Sequence, residues 1–94
     1  MTILKGTKAH RAFLKKGFKD ERGRKDIFYY FYHDGKKTHI FTKMSHNPGD
    51  LNEWLISQMA GQLKLTKNDF IEVVKCSIDG DKLLKIYLRS KELP

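Results

Sequence analysis

Four histidines, His10, His33, His39 and His46, are the side chains in this 94-residue chain best suited to moving a proton near neutral pH. RNA cleavage without a metal needs a base that takes the 2′-hydroxyl proton and an acid that protonates the leaving oxygen, and imidazole serves as either. His46 stands in the stretch SHNPG, between a strand pattern and an expected helix start. A helix N-terminus carries partial positive charge, which favours a bound phosphate and a neutral imidazole, the form a base requires. His46 is therefore one candidate catalytic residue and His39, earlier in the same strand pattern, is the other; a cap or a phosphate contact is the alternative role for His46. No histidine pair has zinc-site spacing, and the single cysteine, Cys76, adds no ligand set, so neither a metal nor another cofactor is expected. Cys76 follows an apolar helical pattern and reads as a small buried hydrophobe.

A second set of residues lies in Asp26–Lys43, DIFYYFYHDGKKTHIFTK, where six aromatic side chains stand among lysines. Asp34–Gly35 is a strong hairpin signal, because both central residues of a type I′ turn need positive φ. That turn sets His33 opposite Lys36 and Tyr30 opposite His39. Strand alternation then gives one face with Ile27, Tyr29, Phe31, Thr38, Ile40 and Thr42, which suits a core. The other face carries Phe28, Tyr30, Tyr32, Lys37, His39, Phe41 and Lys43. Such a face can stack bases on Tyr30, Tyr32 and Phe41 while Lys36, Lys37, Lys43 and nearby Arg24 meet phosphates. It would equally suit a third strand, a dimer seam, or ring pairs that serve stability alone.

The elements around this hairpin follow from caps and periodicity. Thr7 is placed to cap a helix over Lys8–Lys16 with Ala9, Ala12 and Phe13 on one face, Gly17 ends it, and Phe18 packs back. Lys19–Lys25, all charge and glycine, reads as an exposed loop. Asp50, with Glu53 as its capping-box partner, opens a helix whose stripe is Leu51, Trp54, Leu55, Met59 and Leu63. Thr66 and Asp69 repeat the signature before Phe70, Val73 and Val74. After a break at Ser77–Asp81, a last helix carries Leu83, Leu84, Tyr87 and Leu88, with Lys82, Lys85 and Arg89 on its solvated side. Within this run MAGQLKLTKNDF, Met59–Phe70, resembles a helix-turn-helix, although Lys64 stands where that motif prefers glycine and Asp69 and Glu72 would repel phosphates. An ordinary helical hairpin has the same spacing.

The formal charge of +8, from 19 Lys and Arg against 11 Asp and Glu, favours polyanionic partners, nucleic acid or an acidic protein. The length suits one domain. With no signal-peptide-like run and no segment long enough to span a bilayer, a cytoplasmic protein without a membrane partner is expected.

The order of helix, DG hairpin, histidine after the strand and capped helix resembles the HicA toxins of bacterial and archaeal toxin–antitoxin pairs. The resemblance spans about Ala9–Thr66 and lies in AHRAFLKKGF, FYYFYHDGKKTHI, KMSHNPGDL and QMAGQLKLT. It implies an α+β fold with an α-β-β-β-α core like that of double-stranded-RNA-binding domains, at about residues 7–65, and a C-terminal helical extension over 66–94. It also implies mRNA cleavage and an acidic antitoxin as partner. HicA proteins open the first strand with a Gly-Ser-His stretch whose histidine is taken as catalytic. The corresponding segment here is RKDIFYY, Arg24–Tyr30, without a histidine. The catalytic role would then fall to His39 or His46, or the protein would bind RNA without cutting it. The leading expectation is a small basic HicA-like RNA-binding protein able to act as a metal-independent endoribonuclease. A DNA-binding regulator using Met59–Phe70 and a non-catalytic homodimeric interaction module are the alternatives.

Overall fold

A computed structural model describes residues 4–46, 49–75 and 78–91, so Cys76 and Ser77 lie outside the described residues. In chain order the elements are β1 (Leu4–Lys5), α1 (Gly6–Lys15), β2 (Phe18–Arg22), β3 (Asp26–His33), β4 (Lys36–Ser45), β5 (Asp50–Leu51), α2 (Glu53–Gln62), α3 (Lys67–Val74) and α4 (Gly80–Arg89). They make a small α+β fold in which a three-stranded antiparallel sheet, ordered β2-β3-β4, is accompanied by four helices.

Asp34 at φ 53° and Gly35 at φ 75° both adopt the left-handed conformation, so β3 and β4 close through the expected two-residue turn and His33 pairs with Lys36. The pairing of Tyr30 with His39 does not form. Tyr30 stands opposite Phe41, because β4 sets Thr38, His39 and Ile40 against Phe31 alone. Thr38 makes this bulge possible: its Oγ1 donates to the Phe31 carbonyl at 2.6 Å and accepts from the Ile40 N–H at 3.2 Å, replacing ladder bonds with side-chain ones. Two residues are inserted, so alternation survives. Ile40, Thr42 and Met44 are buried on the same side as Ile27, Tyr29 and Phe31.

The charged segment expected as a loop is largely a strand. Phe18 pairs with Phe31, and the register continues to Arg22 with Ile27, leaving Gly23–Lys25 as the turn. Weak intrinsic strand preference is outweighed here by the open edge of β3, and alternating charges are what a sheet edge tolerates. The turn is tight: a Cβ on Gly23 would lie 3.0 Å from the Asp26 carbonyl oxygen and 3.2 Å from the Phe28 ring.

Two helix starts also differ from expectation. Thr7 lies inside α1, which begins at Gly6 without a side-chain cap; the Gly6 N–H donates to the Gly49 carbonyl at 2.7 Å. Asp50 is extended and pairs with Lys5 in the short β1–β5 ribbon, and Asn52 caps α2 by accepting from the Leu55 N–H at 2.9 Å. Leu51 therefore belongs to β5, where it is buried; of the expected helix stripe Met59 and Leu63 are buried and Leu55 packs against the core, and Trp54 alone falls off it. Trp54 is 68% exposed, whereas Ile56 is buried with Met59, Ala60 and Leu63.

The helices cover one face of the sheet. Phe13 of α1 packs against Phe18 at 5.3 Å, Tyr29 at 5.0 Å and Phe70 of α3 at 6.1 Å between ring centroids. From α2, Gln62 accepts a 2.6 Å hydrogen bond from the buried Thr42 hydroxyl. Thr66 caps α3 as expected, accepting from the Asp69 N–H at 3.1 Å. The last break is shorter than expected, since Asp79 caps α4 and Gly80 and Asp81 are already helical. Leu83 and Tyr87 join the core, with Tyr87 5.0 Å from Phe31, while Leu88 is exposed. Lys16 is buried at the C-terminal end of α3, donating to the Val73 and Ile78 carbonyls at 2.8 and 2.5 Å, where a cation meets the negative end of the helix dipole. No helix among the described residues is long and apolar enough to cross a membrane.

Candidate nucleic-acid interface and a cationic pocket

The outward face of the sheet follows from alternation. Phe28, Tyr30 and Tyr32 project from β3, and Lys37, His39, Phe41 and Lys43 from β4. Tyr30 lies 5.4 Å from Phe41 and 6.4 Å from Phe28, with ring planes 26° and 20° apart, so the three rings form a shallow ladder across two strands. Tyr30 and Tyr32 are half-buried and Phe41 is exposed; these rings do not enter the core. Ammonium groups sit on the ladder: Lys37 Nζ is 4.0 Å from the centre of the Tyr30 ring and Lys19 Nζ 4.6 Å from that of Tyr32.

Carboxylates share this face. Lys37 pairs with Glu21 of β2, a hydrogen bond that raises the Lys37 pKa, and Lys43 Nζ stands 3.8 Å from Asp26. Such pairs at a solvated surface are weak and exchange readily for phosphate. Arg24 is exposed in the β2–β3 turn, and Lys36 is exposed beside the hairpin turn, alternating to the other side of β4 from Lys37. Lys19 was not anticipated, because its segment reads as a loop; the alternation in FKDER, with Phe18 inward and Lys19 outward, is the signal that places it.

The two candidate catalytic histidines are not brought together. His39 is exposed on the ring face, whereas His46 follows the end of β4 and lines a cavity on the helix-covered side. Nor does His46 adjoin the N-terminus of α2, the helix expected to follow it: β5 intervenes, α2 begins at Glu53, and Asn52 occupies its cap; the helix start that shares its cavity is that of α1, through Gly6 and Thr7. The His46 Nε2 instead lies 2.9 Å from the Gly23 carbonyl oxygen, tying the end of β4 to the β2–β3 turn.

That cavity, of about 270 Å³, is lined by His10 and Arg11 of α1, Arg22 of β2, Tyr29 of β3, and Ser45 and His46. His10 Nδ1 is 2.6 Å from the Tyr29 hydroxyl. Burial, reinforced by the Asp20 carboxylate and opposed by Arg22, pushes the Tyr29 phenol up to about 12. A phenol that stays protonated can donate to Nδ1, which leaves the imidazole proton on Nε2. His10 and Arg22 were not among the expected site residues. The position of His10 beside buried Ala9, and the alternation that sets exposed Arg22 on the Phe18 side of the strand once Phe18–Arg22 is seen as one, are the signals that find them.

Comparison of the chain with protein-family models, curated proteins and solved structures returned no match in any of the three.

Proposed function

We propose that this is a small RNA-binding protein, similar in kind to the HicA toxins, that holds a polynucleotide on the open face of its sheet. The observation that carries this reading is the ring ladder of Phe28, Tyr30 and Phe41, left uncovered by the helices, with Lys37 over Tyr30 and Lys19 over neighbouring Tyr32. Bases stack on exposed rings with little regard to sequence, and the flexible lysines that lie over the tyrosine faces would swing aside to meet the phosphates. The run α1-β2-β3-β4-α2 supports a double-stranded-RNA-binding-like reading of the fold, with β1, β5, α3 and α4 added to it. An acidic antitoxin-like protein would compete for the same lysines by charge complementarity. Cleavage of mRNA, which the HicA resemblance implies, would fall to His46 rather than His39, since His46 shares a cavity with a second imidazole.

A second reading has one observation in its favour. Lys64 adopts φ 58°, the left-handed turn that a helix-turn-helix requires between α2 and α3. A DNA-binding role for α3 must accommodate its acidic Asp69 and Glu72.

The test is a salt titration of binding to single-stranded RNA, structured RNA and duplex DNA. Several displaced counterions give a steep fall in RNA affinity between 50 and 200 mM salt, roughly tenfold or more. A flat response, or a salt-insensitive dimer that fails to shift RNA, would replace this reading with a homodimeric module; preference for duplex DNA would favour the second reading.

A further inference from the structure

The cavity at the end of the sheet lies on the opposite side from the ring ladder, and base stacking makes no use of it. We infer that the cavity bounded by His10, Arg11, Arg22, Tyr29 and His46 is a binding site for one phosphate group. This rests on the cavity's own residues and holds whether or not the ring face takes RNA.

Three features carry it. First, two guanidinium groups reach the cavity from different elements, Arg11 from α1 and Arg22 from β2, and among the described residues neither forms an ion pair with a carboxylate. A guanidinium fork matches phosphate geometry, and two forks from separate elements can grip different oxygens. Second, each imidazole is anchored through one nitrogen: His10 accepts from the Tyr29 hydroxyl and keeps an Nε2–H to donate, while His46 donates Nε2–H to the Gly23 carbonyl and keeps Nδ1, which can accept from a phosphate hydroxyl or, in the imidazolium, donate to a phosphate oxygen. Groups held in this way lose little freedom on binding. Third, the charge is one-sided. Asp20, paired with Tyr29 across β2 and β3, is the carboxylate that acts on Tyr29, set against two arginines.

The volume of about 270 Å³ falls just below the usual range for ligand pockets, roughly 300–1,000 Å³. It suits a phosphate with the sugar end that bears it and is too small for stacked bases. Two sources share this chemistry. One is a backbone phosphodiester of RNA that leaves the ring face over the β2–β3 turn, past exposed Arg24. The other is a free or terminal phosphate.

The experiment is an NMR titration of the full chain that follows the His10 and His46 imidazole signals. Inorganic phosphate is added first, then a nucleoside 3′-monophosphate, then a 2′-O-methyl oligonucleotide without terminal phosphates. Saturable shifts of both imidazoles are expected with phosphate. Arg11→Ala and Arg22→Ala should each weaken the site about tenfold, the order of one charged hydrogen bond, while Arg89→Ala on α4 leaves it unchanged. A response to the oligonucleotide assigns the site to the RNA backbone; a response confined to phosphate and the monophosphate assigns it to free or terminal phosphate. Shifts that never saturate, or Arg11 and Arg22 variants that bind like the Arg89 variant, overturn the proposal. The Tyr30 and Tyr32 signals in the same spectra report the ring face separately, so failure of one site is not mistaken for failure of the other.

Discussion

Tyr29 and Tyr30 are neighbours in β3 and share a side chain, but little else. Tyr29 is buried, packed on Phe13 and hydrogen-bonded to His10. Tyr30 lies under the Lys37 ammonium and beside Phe41, half-open to solvent. The same contrast separates Phe31, wedged between Phe18 and Tyr87, from Phe41 on the outer face. Ring content does not distinguish core from surface in this hairpin; alternation, and the side on which the helices lie, does.

The contrast can be broken most directly by truncating one ring on each side. Phe31→Ala should cost about 3–5 kcal/mol, a large share of the stability of a domain this size, and Phe41→Ala less than about 1 kcal/mol, as read by urea unfolding. Equal losses would mean that the outer rings are part of the core. A smaller effect, in binding rather than folding, is expected of Tyr30→Ala combined with Tyr32→Ala: a loss of roughly 2 kcal/mol in RNA affinity by anisotropy, with the thermal midpoint nearly unchanged. Subtler still is the alkaline titration. Folding raises the Tyr29 phenol from 10.0 to about 12, so the folded state keeps a proton that the unfolded state gives up. The resulting stability is fully present below pH 10 and drains away as pH rises through 12. Ultraviolet absorbance should show a tyrosine step displaced to high pH, and Tyr29→Phe should reduce its amplitude by one phenol.

Much of this division is legible in the chain. The Asp34–Gly35 turn and period-two alternation assign every residue from Ile27 to Phe31 to its side of the sheet, and Ala9, Ala12 and Phe13 announce the face of α1 that covers it. The bulge is not legible, because Thr38 replaces backbone bonds with its hydroxyl, and nothing local in KKTHI distinguishes that from a regular ladder. Strand β2 is hidden for a different reason: its residues have weak strand preference, and the charged run continues unbroken through the Gly23–Lys25 turn, so strand and turn read as one loop although the partner β3 follows directly. That second omission matters more for the site. Without β2, Lys19 has no place on the ring face and Arg22 none in the cavity, and His46 is referred to a helix end instead of to His10.

The burial of Lys16 shows what the last two helices add to the fold. Its ammonium is solvated by two carbonyls that belong to the end of α3 and the connection into α4. Cutting after α2 would remove both oxygens together with the helices that enclose them, so the ammonium would return to water, while Phe13 would lose Phe70 and Phe31 would lose Tyr87. A trimmed version would therefore need new apolar cover for Phe13 and Phe31, rather than a change at position 16, before it could fold on its own.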